Sequence, residues 1–323
     1  MNAYVQRIAE MYREVPFHNF EHCSHVLMST SKLMKRIVNP DDVDYKQTGD
    51  IVASTIHRTT YGISSDPILQ FASLFAALIH DVDHTGLTNA ELIAEKAPLA
   101  KMYRNQSVAE QHSVDLAWKI LMEPAFSALR NCIYATEEEL THFRQLVVNA
   151  VMATDIADVS LKRAREQRWE ATFMPDDVPE MAVNSGHEEK QSDRDRKATI
   201  VFEYIIQASD VCHTMQHWHT YQKFNKRLFE ERYVAWLNGN LPKEPSIGWY
   251  AGELWFFDNY IIPMAKKLDK CGVFGVSYHE YLSYAKENRK EWERKGEAVV
   301  KDMKARCEEI YDKERQVKNT AKI

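Results

Sequence analysis

The feature that most constrains this chain is an apolar run that ends directly in a cluster of ionisable groups. Residues 70–79, "QFASLFAALI", are almost wholly apolar, and residues 80–84, "HDVDH", follow at once. A helix that is apolar all round has to be buried in the fold. Because burying unpaired charge is costly, the histidines and aspartates at its end require a counter-charge. A divalent cation is the simplest partner for several of them at once.

Helical periodicity dominates the rest of the chain and predicts an all-α fold. No segment shows sustained alternation of apolar and polar residues, and glycine occurs only 10 times. Apolar residues instead recur at every third or fourth position, which is typical of helices packed on one face. The clearest helical segments are 24–38, 107–122, 136–156 and 196–239.

Helix starts carry N-terminal capping signals. Asp66 stands before a proline, a pair typical of an N-cap and first turn. The S/T-x-x-E pattern of a capping box occurs at Ser107 with Glu110 and again at Thr136 with Glu139. We therefore expect Ser107 and Thr136 to cap the helices that follow them.

Length and composition favour one large domain. The chain has 323 residues, 45% of them hydrophobic, which is enough for a sizeable core. No linker separates two cores, so we predict a single domain over residues 1–323, with a mobile loop at 174–197. The formal charge of −6 gives no basic face for nucleic acid. An anionic substrate therefore needs a local positive feature, such as a metal.

Cysteine usage and hydropathy predict a cytoplasmic chain, or the cytosolic portion of a larger protein. The five cysteines are scattered and form no C-x-x-C pair, which suits a reducing compartment. No signal peptide is visible. No apolar run reaches the ~20 residues of a membrane span. We expect no membrane contact from this segment.

Four separated segments carry side chains able to bind a metal. His18 and His22 are spaced i,i+4, which would place them on one face of a helix. A lone histidine or helix-end aspartate is weak support for a site, but the set as a whole favours a metal centre. Its members are His18 and His22, then His80, Asp81 and His84, then Thr154 and Asp155, and last Asp210 and His213.

The motifs "FHNFEH", "HDVDHTGLTN", "SVAEQH", "MATDI" and "QASDV" occur in this order. Together they closely resemble the catalytic domain of class I cyclic nucleotide phosphodiesterases, within the HD-type metal phosphohydrolases. The likeness runs from about residue 16 to about residue 295 and is closest to protist forms. It implies a compact multi-helix bundle with a cyclic nucleotide as substrate. The helices that precede this motif in the family are expected to be missing, and regulatory or cyclase domains fused in a longer parent chain are possible.

The resemblance also implies a two-metal centre. His22, His80, Asp81 and Asp210 resemble the ligands of the tighter metal, usually Zn²⁺. Asp81 would bridge to a second ion, Mg²⁺ or Mn²⁺, which is held mostly through waters. A hydroxide shared by the two metals would attack phosphorus.

Four further positions resemble family residues that assist this chemistry. His84, Glu110 and Thr154 resemble groups that orient metal-bound waters. His18 resembles the general acid that protonates the departing 3′ oxygen, giving a 5′-monophosphate.

The residues that would bind the nucleotide depart from the family pattern. The family holds the base with a glutamine and an aromatic clamp, and here Glu253 stands in the glutamine position. Phe256 matches the clamp, and Leu228 lies on the opposite side of the base. Asn89 completes the pattern H-D-x-x-H-x-x-x-x-N and is taken as substrate-binding. His213 replaces a common asparagine, which leaves its ribose or base contact open.

Glu253 leads to a hypothesis about the base. An ionised carboxylate only accepts hydrogen bonds, and guanine presents two donors side by side, N1–H and N2–H₂. We therefore expect preference for cyclic GMP over cyclic AMP. If burial keeps Glu253 protonated, it would mimic an amide and serve either base.

The residues alone leave two other functions possible. The chain could be an HD phosphohydrolase acting on another nucleotide phosphate, or a non-catalytic cyclic nucleotide sensor. A sensor is expected to have lost a metal ligand or the acid, whereas His18 and the four ligand positions are all present.

Overall fold

The computed structural model describes residues 1–37, 49–174, 191–274 and 279–320. Within these ranges the chain is built of helices with no strand, and the predicted all-α class is confirmed. The α-helices are α1 Asn2–Ala9, α2 Phe20–Arg36, α3 Gly49–Thr59, α4 Pro67–Ile79, α5 Asn89–Ala94, α6 Pro98–Met102, α7 Val108–Leu121, α8 Ser127–Ile133, α9 Glu137–Ala153, α10 Val159–Phe173, α11 Gln191–Asp210, α12 Trp218–Leu237, α13 Trp249–Phe256, α14 Ile262–Lys270 and α15 His279–Thr320.

Helix α4 is the centre of the bundle. It starts as predicted, because the Asp66 carboxylate accepts a hydrogen bond from the Leu69 backbone N–H at 2.9 Å. Most of its side chains are buried, and it packs against α2, α9 and α11. The helix ends at Ile79 in the interior of the fold. His80 and Asp81, which follow it directly, therefore lie inside the bundle.

The segment predicted as one helix over 196–239 is two helices. Helix α11 ends at Asp210, a short 3₁₀ turn covers Cys212–Met215, and α12 starts at Trp218. The break is stabilised by Asn288 of α15, whose side-chain amide donates to the Thr214 and Gln216 carbonyls at 2.9 and 2.7 Å. This contact satisfies carbonyl groups that the interrupted helix leaves without partners.

The two predicted capping boxes behave differently. At α9 the prediction is confirmed, since the Thr136 hydroxyl accepts from the Glu139 N–H and the Glu139 carboxylate accepts from the Thr136 N–H. At α7 the prediction is wrong. Ser107 has a left-handed backbone with φ of +35° and its side chain makes no cap hydrogen bond. Both Ser107 and Glu110 are used elsewhere, as described below.

Two expectations concern segments only partly described. Of the loop expected at 174–197, residues 175–190 lie outside the described ranges, and residues 191–197 form the first turns of α11. Across the described ranges, no helix combines the length and the apolar character needed to cross a membrane.

Candidate active site

The site forms where the start of α2 meets the ends of α4 and α11. Asn19 caps α2, its side-chain oxygen accepting from the backbone N–H groups of Glu21 and His22 at 2.9 and 3.2 Å. The expectation that His18 and His22 share a helical face is therefore wrong, because His18 precedes the cap and lies outside the helix. The cap nevertheless directs both imidazoles to the same place, with ring centroids 6.0 Å apart.

The structure brings His22, His80, Asp81 and Asp210 together. One potential ligand atom from each lies within 4.8 Å of the other three. Nε2 of His22 is 3.1 Å from Asp210 Oδ1 and 3.5 Å from Asp81 Oδ2. Nε2 of His80 is 3.1 Å from Asp81 Oδ2 and 3.5 Å from Asp210 Oδ1. Two imidazoles thus face two carboxylates across a space the size of one cation.

The chemistry of these four groups fits a metal ion. His80 is 1% exposed, and its Nδ1 lies 2.9 Å from the Ala77 carbonyl, which fixes the ring and leaves Nε2 as the ligand atom. That Nε2 is buried and has no hydrogen-bond partner among the described residues. Burial alone would raise the pKa of Asp81, but the neighbouring His80 outweighs it and holds that pKa well below its usual range. An N/O donor set of this kind suits zinc.

His18 forms a partly buried ion pair that the sequence analysis did not identify. Its Nδ1 lies 2.5 Å from Oε1 of Glu231, and Oε2 of Glu231 accepts from the backbone N–H groups of Phe17 and His18. Burial lowers the pKa of His18, but Glu231 outweighs burial and raises it to about 9. The sequence does carry a signal for Glu231: it falls on the same face of α12 as Leu228 and Phe224, where apolar residues are expected.

His84 is held in its neutral form beside His18. The two ring centroids are 3.9 Å apart, and burial together with the charge of His18 lowers the pKa of His84 to about 4. Its Nδ1 accepts from the Gly86 N–H at 3.1 Å, which leaves the ring proton on Nε2. Gly86 has φ of +79°, and a Cβ there would lie 3.1 Å from the Glu231 side chain. This turn therefore requires glycine.

Asp83, the second aspartate of "HDVDH", is turned away from the metal-binding group. Its carboxylate pairs with Arg13 at 2.6 Å and with His112 at 2.8 Å. The residue has φ of +62°, a conformation that aspartate tolerates better than most side chains. Asp83 thus anchors the turn that presents its neighbours.

A second set of carboxylates lies across the cavity. Asn89 donates to Glu110 at 2.8 Å and to Asp155 at 3.2 Å, and the Ser107 hydroxyl donates to Asp155 at 2.7 Å. Burial and repulsion from Asp155 raise the pKa of Glu110 to about 7. The side-chain oxygen of Asn89 accepts from the backbone at residue 109. All polar atoms of Asn89 are therefore engaged within the protein.

The cavity beside these groups measures about 260 Å³. Thr154 lies in its wall, with its hydroxyl donating to the Val151 carbonyl at 2.7 Å. Phe256 and Leu228 also line it, and Phe256 stacks on Tyr260 with ring centroids 5.2 Å apart. The remaining predicted residues in the wall are His18, His84, Asn89, Glu110, Asp210 and His213.

His213 is buried at the edge of this cavity. Its ring packs on Phe224 with centroids 5.3 Å apart, and its Nδ1 is buried with no hydrogen-bond partner in the part of the chain that the structure describes. Burial, reinforced by His22 and His25, lowers the pKa of His213 to about 3, so it is a neutral imidazole.

Glu253, unlike Phe256, is not among the described residues that line this cavity. It lies three residues before Phe256 on α13, and its Oε2 accepts from the Tyr221 hydroxyl at 2.6 Å. Burial raises the pKa of Glu253 to about 7, and the hydrogen bond from Tyr221 acts in the opposite direction. Tyr221 is a second residue that sequence reasoning missed.

Comparisons with known proteins agree with this geometry. The chain matches the family model for 3′5′-cyclic nucleotide phosphodiesterase over residues 17–240. The human "cGMP-inhibited 3′,5′-cyclic phosphodiesterase 3A" is 32% identical over 172 residues, which cover 45% of this chain and 14% of that protein. The Caenorhabditis elegans "Probable 3′,5′-cyclic-AMP phosphodiesterase pde-4" is 27% identical over 242 residues, covering 75% of this chain and 30% of that protein.

A solved structure shares the fold. The phosphodiesterase domain of the Salpingoeca rosetta rhodopsin phosphodiesterase superposes with a TM-score of 0.67 at 22% identity, covering 96% of this chain and 83% of that one. The chain thus spans well under half the length of the two curated relatives, while its fold matches most of this solved domain. Because the family model matches most of the length of this chain, the chain belongs to the 3′,5′-cyclic nucleotide phosphodiesterase family.

Proposed function

We propose that this chain hydrolyses a 3′,5′-cyclic nucleotide to the 5′-monophosphate in a metal-dependent reaction. One observation carries the proposal: two imidazoles and two carboxylates that fit a single cation lie beside a proton-bearing histidine and a cavity of about 260 Å³. Phosphodiester hydrolysis needs these three elements, which are a cation to neutralise the phosphate, an acid for the leaving oxygen and room for the nucleotide.

His22, His80, Asp81 and Asp210 would hold the tighter cation, proposed to be Zn²⁺. Asp81 would also contact a second cation, Mg²⁺ or Mn²⁺, with His84, Glu110 and Thr154 orienting its waters. The chemistry that bound cations supply is neutralisation of the phosphate charge and a lowered pKa of water.

His18 is the proposed general acid. Glu231 accepts from the backbone of Phe17 and His18 through one oxygen and faces the imidazole with the other, so the ring is fixed and kept protonated. A protonated ring can deliver its proton to the departing 3′ oxygen. Nearby cations would lower its pKa from about 9 toward neutrality, which improves proton transfer at physiological pH.

For the nucleotide, we propose that Phe256 and Leu228 enclose the base and that Glu253 reads its edge, with cyclic GMP preferred. His213 supplies a neutral imidazole at the same cavity and is a candidate ribose or base contact. Because the polar atoms of Asn89 are occupied, its proposed part in substrate binding is indirect, through the position of Glu110.

We also propose a cytosolic location and a longer parent protein that contains this chain. The free cysteines support a cytosolic placement. A second solved structure from Salpingoeca rosetta is named as the phosphodiesterase domain of a fusion protein, which supports a regulatory domain in a longer parent chain.

The test is release of phosphate from cyclic GMP and cyclic AMP, with a phosphatase added to free phosphate from any monophosphate formed. We expect turnover that a chelator abolishes and that Zn²⁺ together with Mg²⁺ restores. Absence of turnover in metal-loaded protein would contradict the proposal, and tight cyclic nucleotide binding in that case would identify a sensor.

A further inference from the structure

A second, smaller cavity lies next to the nucleotide cavity, where α10 and α11 meet the start of α14. It measures about 40 Å³, which is room for about three water molecules. Ile156 lines both cavities, and Tyr260 lines the smaller one and stacks on Phe256 of the larger one. A space of this size suits a small ion and is too small for a nucleotide.

Three cationic side chains line this smaller cavity without a counter-charge. Lys162 and Arg165 come from α10, and Lys267 comes from α14. Arg165 is only 8% exposed, and its Nη2 donates to the backbone carbonyl of Asp155 at 3.3 Å. Among the described residues, no carboxylate forms an ion pair with any of the three cations. A buried guanidinium in this state is costly unless an anion joins it.

The neutral groups around the cavity also leave a donor free. The Tyr260 hydroxyl is buried and has no hydrogen-bond partner within the described ranges. The ammonium of Lys267 donates to the Tyr204 hydroxyl at 3.0 Å and lies 5.9 Å from the centre of the Trp169 ring, so these contacts bring it no negative charge. Because buried polar groups are normally hydrogen-bonded, the Tyr260 hydroxyl points to an acceptor that the chain itself does not supply.

One acidic residue shares the lining and does not neutralise it. Glu166 is exposed on α10 and forms no ion pair with the three cations in the part of the chain that the structure describes. Burial lowers the pKa of Lys267, and the charges of Glu166 and Glu170 only partly oppose that effect. The cavity therefore keeps an excess of positive charge. A tetrahedral oxyanion offers acceptor oxygens in several directions and matches donors that come from different helices.

We propose that this cavity binds a small oxyanion of the phosphate class. Arg165, Lys162 and Lys267 supply the charge, and the Tyr260 hydroxyl donates to one of the oxygens. The site is separate from the metal-binding residues and does not depend on the proposed hydrolysis.

The experiment follows the Tm of the metal-loaded chain during titration with inorganic phosphate, compared with NaCl at equal ionic strength. A ligand that binds only the folded state raises Tm, and we expect a saturable rise of about 2–4 °C in wild type. Phosphate also stabilises proteins by exclusion from their surface and can bind at the metal centre. Both effects are common to all variants, so the comparison between variants isolates this cavity.

Three variants give that comparison. Arg165→Gln should lose the phosphate-specific rise, and because it removes a buried charge that lacks a counter-ion, its Tm without phosphate should not fall. Lys162→Gln changes a partly exposed side chain and should reduce the rise even if Arg165→Gln fails to fold. The matched control is Lys266→Gln, an exposed lysine on α14 that does not line the cavity and should keep the full rise.

The inference is overturned if wild type shows no rise beyond that in NaCl. It is also overturned if folded Arg165→Gln and Lys162→Gln respond as wild type does, or if Lys266→Gln loses the response equally.

A parallel titration with glycerol 3-phosphate distinguishes two sources of the same chemistry. Tighter binding of inorganic phosphate assigns the site to the free ion, and tighter binding of glycerol 3-phosphate assigns it to the end group of a phosphate monoester. If phosphate binds as described but no cyclic nucleotide is hydrolysed, the proposed function fails and the oxyanion site stands.

Discussion

Helices α7 and α9 begin with the same S/T-x-x-E pattern, but the two patterns do different things. At α9, Thr136 and Glu139 satisfy each other's backbone N–H groups. At α7, Ser107 donates to Asp155 and Glu110 accepts from Asn89, so neither side chain caps its helix. Helix α7 gives up a local stabilising contact, and in return Glu110 lines the active-site cavity and Ser107 donates to Asp155 in its wall.

This difference shows that a capping-box pattern predicts a helix cap only where no nearby buried group needs the same side chains. A capping box contributes on the order of 1 kcal/mol, which is less than the cost of leaving a buried carboxylate such as Asp155 without donors. Asp155 is 4% exposed, and it therefore recruits the Ser107 hydroxyl. Substitutions at the start of α7 should consequently change activity, whereas substitutions at the start of α9 should change stability only.

The largest effect is expected from Glu110→Gln. Removal of the charge that would orient metal-bound water should lower kcat/KM by about 10- to 100-fold. Steady-state hydrolysis at saturating metal measures this, and an unchanged rate would place Glu110 outside the catalytic machinery.

The same variant should be more stable than wild type when both are metal-free. Because the pKa of Glu110 is about 7 in the folded protein against 4.5 in model peptides, ionisation opposes folding as the pH rises above 4.5. The gain should be on the order of 1–3 kcal/mol at pH 8 and vanish below pH 4.5. Urea unfolding at the two pH values decides the sign, and a loss of stability at pH 8 would refute it.

A smaller effect is expected from Ser107→Ala. Asp155 loses one donor but keeps Asn89, so kcat/KM should fall by about threefold to tenfold. If Ser107 were an ordinary cap, this change would lower stability alone and leave kcat/KM intact.

The smallest effect on activity is expected from Thr136→Ala, the matched control at α9. Loss of the cap should cost about 1 kcal/mol of stability and lower Tm by a few degrees. Hydrolysis of both nucleotides should be unchanged, and a fall in kcat/KM comparable to that of Ser107→Ala would remove the contrast between the two helices.

The same contrast explains what the sequence could predict. The cap at Asp66 and the apolar run of α4 are local features, and both are found as expected. The convergence of polar segments was predicted from polar residues at the ends of buried helices, whereas the choice of His22, His80, Asp81 and Asp210 as the ligand set came from the family resemblance.

The features that could not be predicted depend on partners far along the chain. The break after α11 needs Asn288, which lies 74 residues beyond Thr214. The pairing of Glu253 with Tyr221 spans 32 residues between helices. The role of Glu231 could have been predicted from the sequence, because a carboxylate on an apolar helix face indicates a buried partner.

The central claim is that one cation is bound by His22, His80, Asp81 and Asp210. Metal content after exhaustive dialysis tests it most directly, comparing wild type with Asp210→Asn and with His142→Ala, a half-exposed histidine on α9. The account predicts one tightly held cation per chain in wild type and His142→Ala, and its loss from Asp210→Asn. Equal metal content in all three proteins, or none in folded wild type supplied with zinc, would contradict it.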